Sequence, residues 1–245
     1  MIEVQLIGRI GNNLFQYAVC RSMAERLGCN FWVNPSAWKG FDLFNIPFGK
    51  RDGNTKHTYK EGDMGYDLRI ESVVDFTTLI GFFQSEKYFD NDKVREWFKL
   101  CPAKDDATEK IIEQYPINEY CYLNIRGGDV KFISSQKLKL EYFDWAREKM
   151  LTFNPDLKFV VVTDDREYAK TYFPDLPIQC NTESIDFRLM NSAKYLIIAN
   201  SSFAWWAAWL NQNNIVVAPQ GWLNVNIDKW KPGPRDIVVE RFNWI

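Results

Sequence analysis

Four short segments of this chain carry residues suited to phosphate or carboxylate chemistry, and each follows a run of strand-like sequence. In Asn124-Ile125-Arg126-Gly127-Gly128-Asp129, an arginine at a strand end can clamp a diphosphate with its planar fork and offset the charge that grows on a departing phosphate. Asp129 can hold that arginine in place, although a solvated Arg–Asp pair in a surface turn is the plainer reading. In Gly8-Arg9-Ile10-Gly11-Asn12-Asn13, glycines let the backbone approach an anion, and the free N–H groups of the helix that follows point toward it. The alternative is a tight strand-to-helix turn without ligand. The spacing fits neither the dinucleotide fingerprint nor the P-loop, whose lysine is missing.

Asn200-Ser201-Ser202-Phe203 makes a second helix-start anion site from hydroxyls and amides. The Trp205, Trp206 and Trp209 that follow are assigned to packing. In Thr163-Asp164-Asp165, a carboxylate can accept two hydrogen bonds from a guanine edge or cap the next helix, and the two roles can be divided between Asp164 and Asp165.

Other features have structural readings. Asp90-Asn91-Asp92 has the D-x-D form of metal-dependent glycosyltransferases but precedes an amphipathic helix, where Asp and Asn are ordinary caps. His57 is the only histidine, so a Ser–His–Asp triad or a histidine metal cluster has no support. Cys20, Cys29, Cys101, Cys121 and Cys180 show no paired metal spacing and fit a reducing compartment. No carboxylate pair is identified by its spacing.

The elements that must position these segments fall in two blocks. Ile2–Ile7 reads as a strand, Leu14–Leu27 as a helix stopped by Gly28, and Phe31–Val33 as a second strand. Residues 35–66 read as irregular connections, Leu79–Phe83 as a strand, and 91–100 as a helix burying Val94, Trp97 and Phe98. Strands are expected at Tyr120–Ile125, Lys158–Thr163, Tyr195–Ala199 and Ile215–Ala218. Helix-length segments between them imply parallel βαβ units, which bind ligands at the carboxyl ends of their strands. A boundary in the charged stretch 101–118 divides the chain into domains 1–115 and 116–245.

The 245 residues are 46% hydrophobic and 25% charged, the balance of a globular protein with a substantial core. A net charge of -2 without a basic stripe argues against nucleic acid as partner. The start lacks the pattern of a signal peptide, and no run approaches the roughly 18 apolar residues of a membrane span, so the expected location is cytoplasmic.

Four ordered blocks together resemble the alpha-1,2-fucosyltransferase family. Gly8–Ala18 (GRIGNNLFQYA) is similar to its N-terminal signature, Gly81–Phe89 (GFFQSEKYF) to its mid-chain block, Leu123–Asp129 to its H-x-R-R-G-D motif, and Asp186–Asn211 to its long C-terminal block. The resemblance implies an α/β fold of the GT-B type, two Rossmann-like domains whose parallel sheets face a central cleft, with acceptor on the first and donor on the second. It also implies an inverting enzyme that takes fucose from GDP-fucose without a metal or other cofactor. The acceptor would be a terminal sugar of a glycan or lipid-linked precursor, with an alpha-1,2 linkage to galactose. By the same resemblance Arg126 contacts the diphosphate as the central catalytic group, Gly11 and Asn12 approach the donor from the first domain, Ser201, Ser202 and Phe203 line diphosphate and fucose, and Asp164 faces the guanine. Asp129 and Asn200 complete the donor-binding set. The motif's His is Asn124 here, which cannot serve as a general base, and its second Arg is Gly127; the aromatic that often follows is Val130. Those departures keep open a transferase for another nucleotide sugar and a catalytically silent glycan-binding protein.

Overall fold

The computed structural model describes residues 1–62, 65–104, 106–128, 138–220, 222 and 236–245. The chain divides into two compact units, residues 1–101 with 236–238, and the described residues after 101 with 239–245. The first unit is a parallel four-stranded sheet in the order β2-β1-β4-β3. Its strands are β1 (Ile2–Val4), β2 (Phe31–Val33), β3 (His57–Lys60) and β4 (Thr77–Ile80). Strand β1 pairs with both β2 and β4, with Val4 opposite Val33 on one side and Leu79 on the other.

Helix α1 (Ile10–Leu27) follows β1 and buries Leu14, Phe15, Ala18 and Val19 completely. It ends at Gly28, whose φ of 64° is the left-handed cap that a residue without Cβ adopts freely. Helix α2 (Asn91–Trp97) starts at Asp90, whose side chain accepts the Lys93 N–H, so the D-x-D segment is a helix cap.

The second unit holds a six-stranded sheet, again wholly parallel, in the order β10-β9-β8-β5-β6-β7. Here β5 is Tyr120–Ile125, β6 Lys158–Thr163, β7 Ile178–Gln179, β8 Tyr195–Ile197, β9 Ile215–Ala218 and β10 Asn243–Trp244. Helices α4 (Leu140–Leu151) and α5 (Arg166–Tyr172) close a core in which Leu123, Ile125, Phe143, Met150 and Val161 lie buried. Helix α7 (Ser202–Leu210) packs with α6 (Glu183–Ser192) and sinks Trp205, Trp206 and Trp209 completely. The tryptophans are therefore core.

The units part at Cys101/Pro102 rather than at 115/116, because α3 (Ala107–Gln114) packs on α6 of the second unit. Strand β3 lies inside the stretch read as irregular. Its residues His57, Thr58, Tyr59 and Lys60 are largely exposed at a sheet edge, so they lack the apolar alternation that announces a strand.

Candidate functional site

Parallel open sheets bind ligands beyond the carboxyl ends of their strands, where the strand order reverses direction. In the second unit the chain runs outward from β5 through β6 to β7, then restarts at β8 and runs the other way through β9 to β10. The reversal lies between β5 and β8, and the segments leaving those two strands are Arg126–Gly128 and Asn200–Ser202. The first unit reverses between β1 and β4, whose exits are the Gly8–Asn12 and Gly81–Gln84 segments.

Arg126 sits half-buried at the end of β5. The backbone behind it is fixed from β6, since the Gly127 N–H donates to Asp164 Oδ1 at 2.8 Å. Gly127 has no room for a side chain, because a Cβ there would lie 2.5 Å from Asp165 Cβ and 2.8 Å from Tyr168 Cδ1. At Gly128 it would meet Asp164 Oδ2 at 2.5 Å. The arginine that the resemblance expects at 127 is thus replaced by packing against α5. The Asp164-Asp165 pair divides its work: Asp164 reaches the β5 exit, while Asp165 Oδ1 accepts the Tyr168 N–H at 3.0 Å and caps α5. Asp129 lies outside the described residues.

Asn124, two residues before the arginine, is 7% exposed. Its Nδ2 donates to the Val162 carbonyl at 3.3 Å, while its buried Oδ1 has no hydrogen-bond partner among the described residues. A buried amide oxygen left unpaired is costly unless an N–H donor reaches it.

At the exit of β8, Tyr142 Oη donates to the Ile198 carbonyl at 2.6 Å and pins the chain before it turns into α7. Ser201 is the N-cap, its Oγ accepting the Ala204 N–H at 3.4 Å. Ser202 and Phe203 are half-buried in the first turn, and the Phe203 ring meets Phe187 edge-on at 5.2 Å between centroids. Asn200 is buried and shares with Arg126 the wall of a cavity of about 10 Å³. Of the expected donor-binding residues, the fold therefore gathers Arg126, Asp164, Asn200, Ser201, Ser202 and Phe203 on one sheet edge of the second unit.

Gly11 and Asn12 belong to the first unit, where their segment is braced by side chains. Gln16 accepts the Ile7 N–H at 3.0 Å and donates to the Gly81 carbonyl at 2.9 Å, tying the β1 exit to the β4 exit. Asn12 Oδ1 accepts from Gln84 Nε2 at 2.8 Å. Gly8, at φ 86°, leaves the space that the Asn12 amide fills.

Three further polar residues stand out in the structure. Asp186, at the start of α6, is 6% exposed; burial pushes its carboxyl up to about 6, against the hydrogen bonds from Asn181, with the Asp164 charge adding to the rise. Glu61, just past β3, accepts the Phe82 and Phe83 N–H groups at 2.8 and 3.0 Å and is likewise raised by burial. Tyr168 lines the cavity beside Arg126. Asp186 lies inside a block already singled out, whereas Glu61 and Tyr168 had no sequence signal. Among the described residues no three His, Cys, Asp or Glu side chains converge as metal ligands, and no helix is long and apolar enough to cross a membrane.

The chain is similar to known proteins. The chain is 32% identical to the O-antigen biosynthesis glycosyltransferase WbnK of Escherichia coli, over 92% of its own length and 98% of the relative's. It is 29% identical to an Escherichia coli alpha-1,2-colitosyltransferase, over 91% and 92%. Among solved structures, the fucosyltransferase NodZ from Bradyrhizobium superposes with a TM-score of 0.54 at 12% identity, covering 84% of this chain and 91% of that one. An Arabidopsis thaliana FUT1 mutant in complex with GDP gives 0.50 at 12% identity, over 89% and 69%. At that identity the likeness concerns fold alone, and the fold is α/β of the GT-B-like kind, with parallel sheets. The model described as Glycosyl transferase family 11 matches residues 75–244, well over half of the sequence, and the chain belongs to that family.

Proposed function

We propose that this glycosyltransferase moves fucose from GDP-fucose, with inversion and without a metal ion, to a sugar hydroxyl of a glycan acceptor, as an alpha-1,2 linkage to galactose. The observation that carries this reading is the placement of Arg126 and the Asn200-Ser201-Ser202 helix start on the same strand-order reversal. Together they offer a guanidinium fork and helix-start amides to one anion. The acceptor oxygen bonds to the anomeric carbon as the bond from that carbon to the diphosphate breaks, and the electron pair leaves with GDP. Arg126 stabilises the charge that develops there. The acceptor proton passes to a base or solvent.

The base of the donor would be faced by Asp164, whose carboxylate can accept the N–H groups that a guanine edge carries and a uracil ring, offering mainly acceptors, does not match.

A second reading is favoured by the colitosyltransferase relative. Colitose lacks one hydroxyl of fucose, so the same diphosphate and base contacts would serve a GDP-colitose donor.

Release of GDP from a panel of GDP-fucose, GDP-colitose, GDP-mannose and UDP-galactose, with galactose-terminated acceptor and EDTA, tests the proposal. Turnover of GDP-fucose with formation of an alpha-1,2 product is expected. Turnover of the UDP-sugar alone, or activity abolished by EDTA and restored by a divalent cation, would contradict it.

A further inference from the structure

The strand order of the first unit reverses between β1 and β4, and the segments leaving those strands, Gly8–Asn12 and Gly81–Gln84, contain no carboxylate of their own. One reaches the β4 exit from the neighbouring strand. Glu61 directly follows β3, which pairs with β4, and its Oε2 accepts the Phe82 and Phe83 N–H groups at 2.8 and 3.0 Å. Gly81 permits the approach, since a Cβ there would lie 2.5 Å from Glu61 Cβ and 2.7 Å from Oε2. Two backbone bonds on one oxygen fix the direction of the carboxyl group, and neither uses Oε1. The side chain is half-buried rather than enclosed. The same turn is tied to the β1 exit, through Gln16 on the Gly81 carbonyl and Gln84 on Asn12, so the carboxylate is mounted on the frame of the reversal.

We propose that Glu61 is the general base that takes the proton of the acceptor hydroxyl. The inference rests on the transferase reading above, with the acceptor held by the first unit. Open parallel sheets take their ligands at such a reversal, and Asn124, in the second unit, is an amide that accepts no proton. In the transfer, the acceptor O–H gives its proton to Oε1 and the electron pair left on the oxygen forms the bond to the anomeric carbon. The bond from that carbon to the diphosphate breaks, its pair leaves with GDP, and Glu61 passes the proton on to solvent. Burial raises the carboxyl above its ordinary 4.5, against the hydrogen bonds from Phe83, Phe82 and Tyr88, with the Asp67 charge adding to the rise. A carboxylate shifted in this direction holds a proton more tightly than a solvated one and is the stronger base. The titratable and charged groups around it are Tyr59 on β3, Asp67 paired with Arg69 in the connection from β3 to β4, and Tyr88 beyond β4.

The test compares kcat for GDP release from GDP-fucose, with a galactose-terminated acceptor, between the wild type and Glu61→Gln. The amide of Glu61→Gln still offers an oxygen to both backbone N–H groups but has no site for a proton. Its kcat should fall about 10²–10⁴-fold, while its melting temperature and its affinity for GDP stay close to those of the wild type. A merely structural anchor predicts the reverse, a Glu61→Gln protein of near wild-type activity, and that result in a folded variant overturns the proposal. The pH profile of the wild type serves as a second measurement should Glu61→Gln fail to fold. Its kcat/KM should fall as pH drops through a value above the ordinary 4.5, and a level profile down to that pH overturns the proposal as well. Turnover of neither GDP-fucose nor GDP-colitose by the wild type is a different failure, because it removes the transferase reading itself and the base with it.

Discussion

The N–H of Gly127 and the Oδ1 of Asp164 meet at 2.8 Å, so the turn carrying Arg126 out of β5 is held by a carboxylate that arrives from β6. A charge-assisted bond of this kind contributes roughly 1.5–3 kcal/mol. Asp164→Ala should therefore loosen the Arg126 turn and weaken GDP binding by about tenfold, whereas Asp164→Asn, whose amide oxygen can still accept the N–H, should lose less. Isothermal titration with GDP on both variants checks the order, and equal losses would point to a direct contact between the Asp164 charge and the nucleotide.

The buried Asp186 gives stability a pH dependence of known sign. Its folded pKa of about 6 exceeds the ordinary value of 3.8, so its contribution is fully present below pH 3.8 and is lost as pH rises through 6. Relative to Asp186→Asn, the wild type should lose stability between about pH 4 and 6, by an amount on the order of 3 kcal/mol, and then level off. Urea denaturation of both proteins from pH 4 to 8 measures the difference. A flat difference would mean that the carboxyl titrates normally.

Glu61 anchors the turn after β4, where Phe83 adopts a left-handed φ of 53° while fully buried. Its side chain takes the N–H groups of both Phe82 and Phe83. Glu61→Ala should leave two donors unpaired and destabilise the first unit by about 2–4 kcal/mol. Glu61→Gln, which retains an acceptor oxygen, should cost much less. Thermal unfolding of the pair distinguishes anchoring by hydrogen bonds from a requirement for charge.

Much of this architecture is legible in the residues. Strands β5, β6 and β9 announce themselves as β-branched or aromatic runs at their observed limits, because buried parallel strands are apolar on both faces. The helix end at Gly28 and the cap at Asp90 follow from local chemistry. Strand β3 does not, since an exposed edge strand has no apolar alternation to display. The division of labour between Asp164 and Asp165 also had to come from geometry, for both residue types cap helices and both accept N–H groups. Tyr168 is silent in the sequence because its importance comes from the space beside Gly127, a residue 41 positions earlier in number and adjacent only across the β5–β6 pair.

The most direct measurement is the thermal shift produced by GDP on the wild type and on Arg126→Ala, in the presence of EDTA. A ligand at a hundred times its dissociation constant stabilises the native state by about 2.7 kcal/mol. GDP and GDP-fucose should raise the melting temperature of the wild type by several degrees, and Arg126→Ala, with an unchanged melting temperature of its own, should lose most of that rise. An equal rise in the two proteins, or none in the wild type, would contradict the assignment of Arg126 to the donor diphosphate.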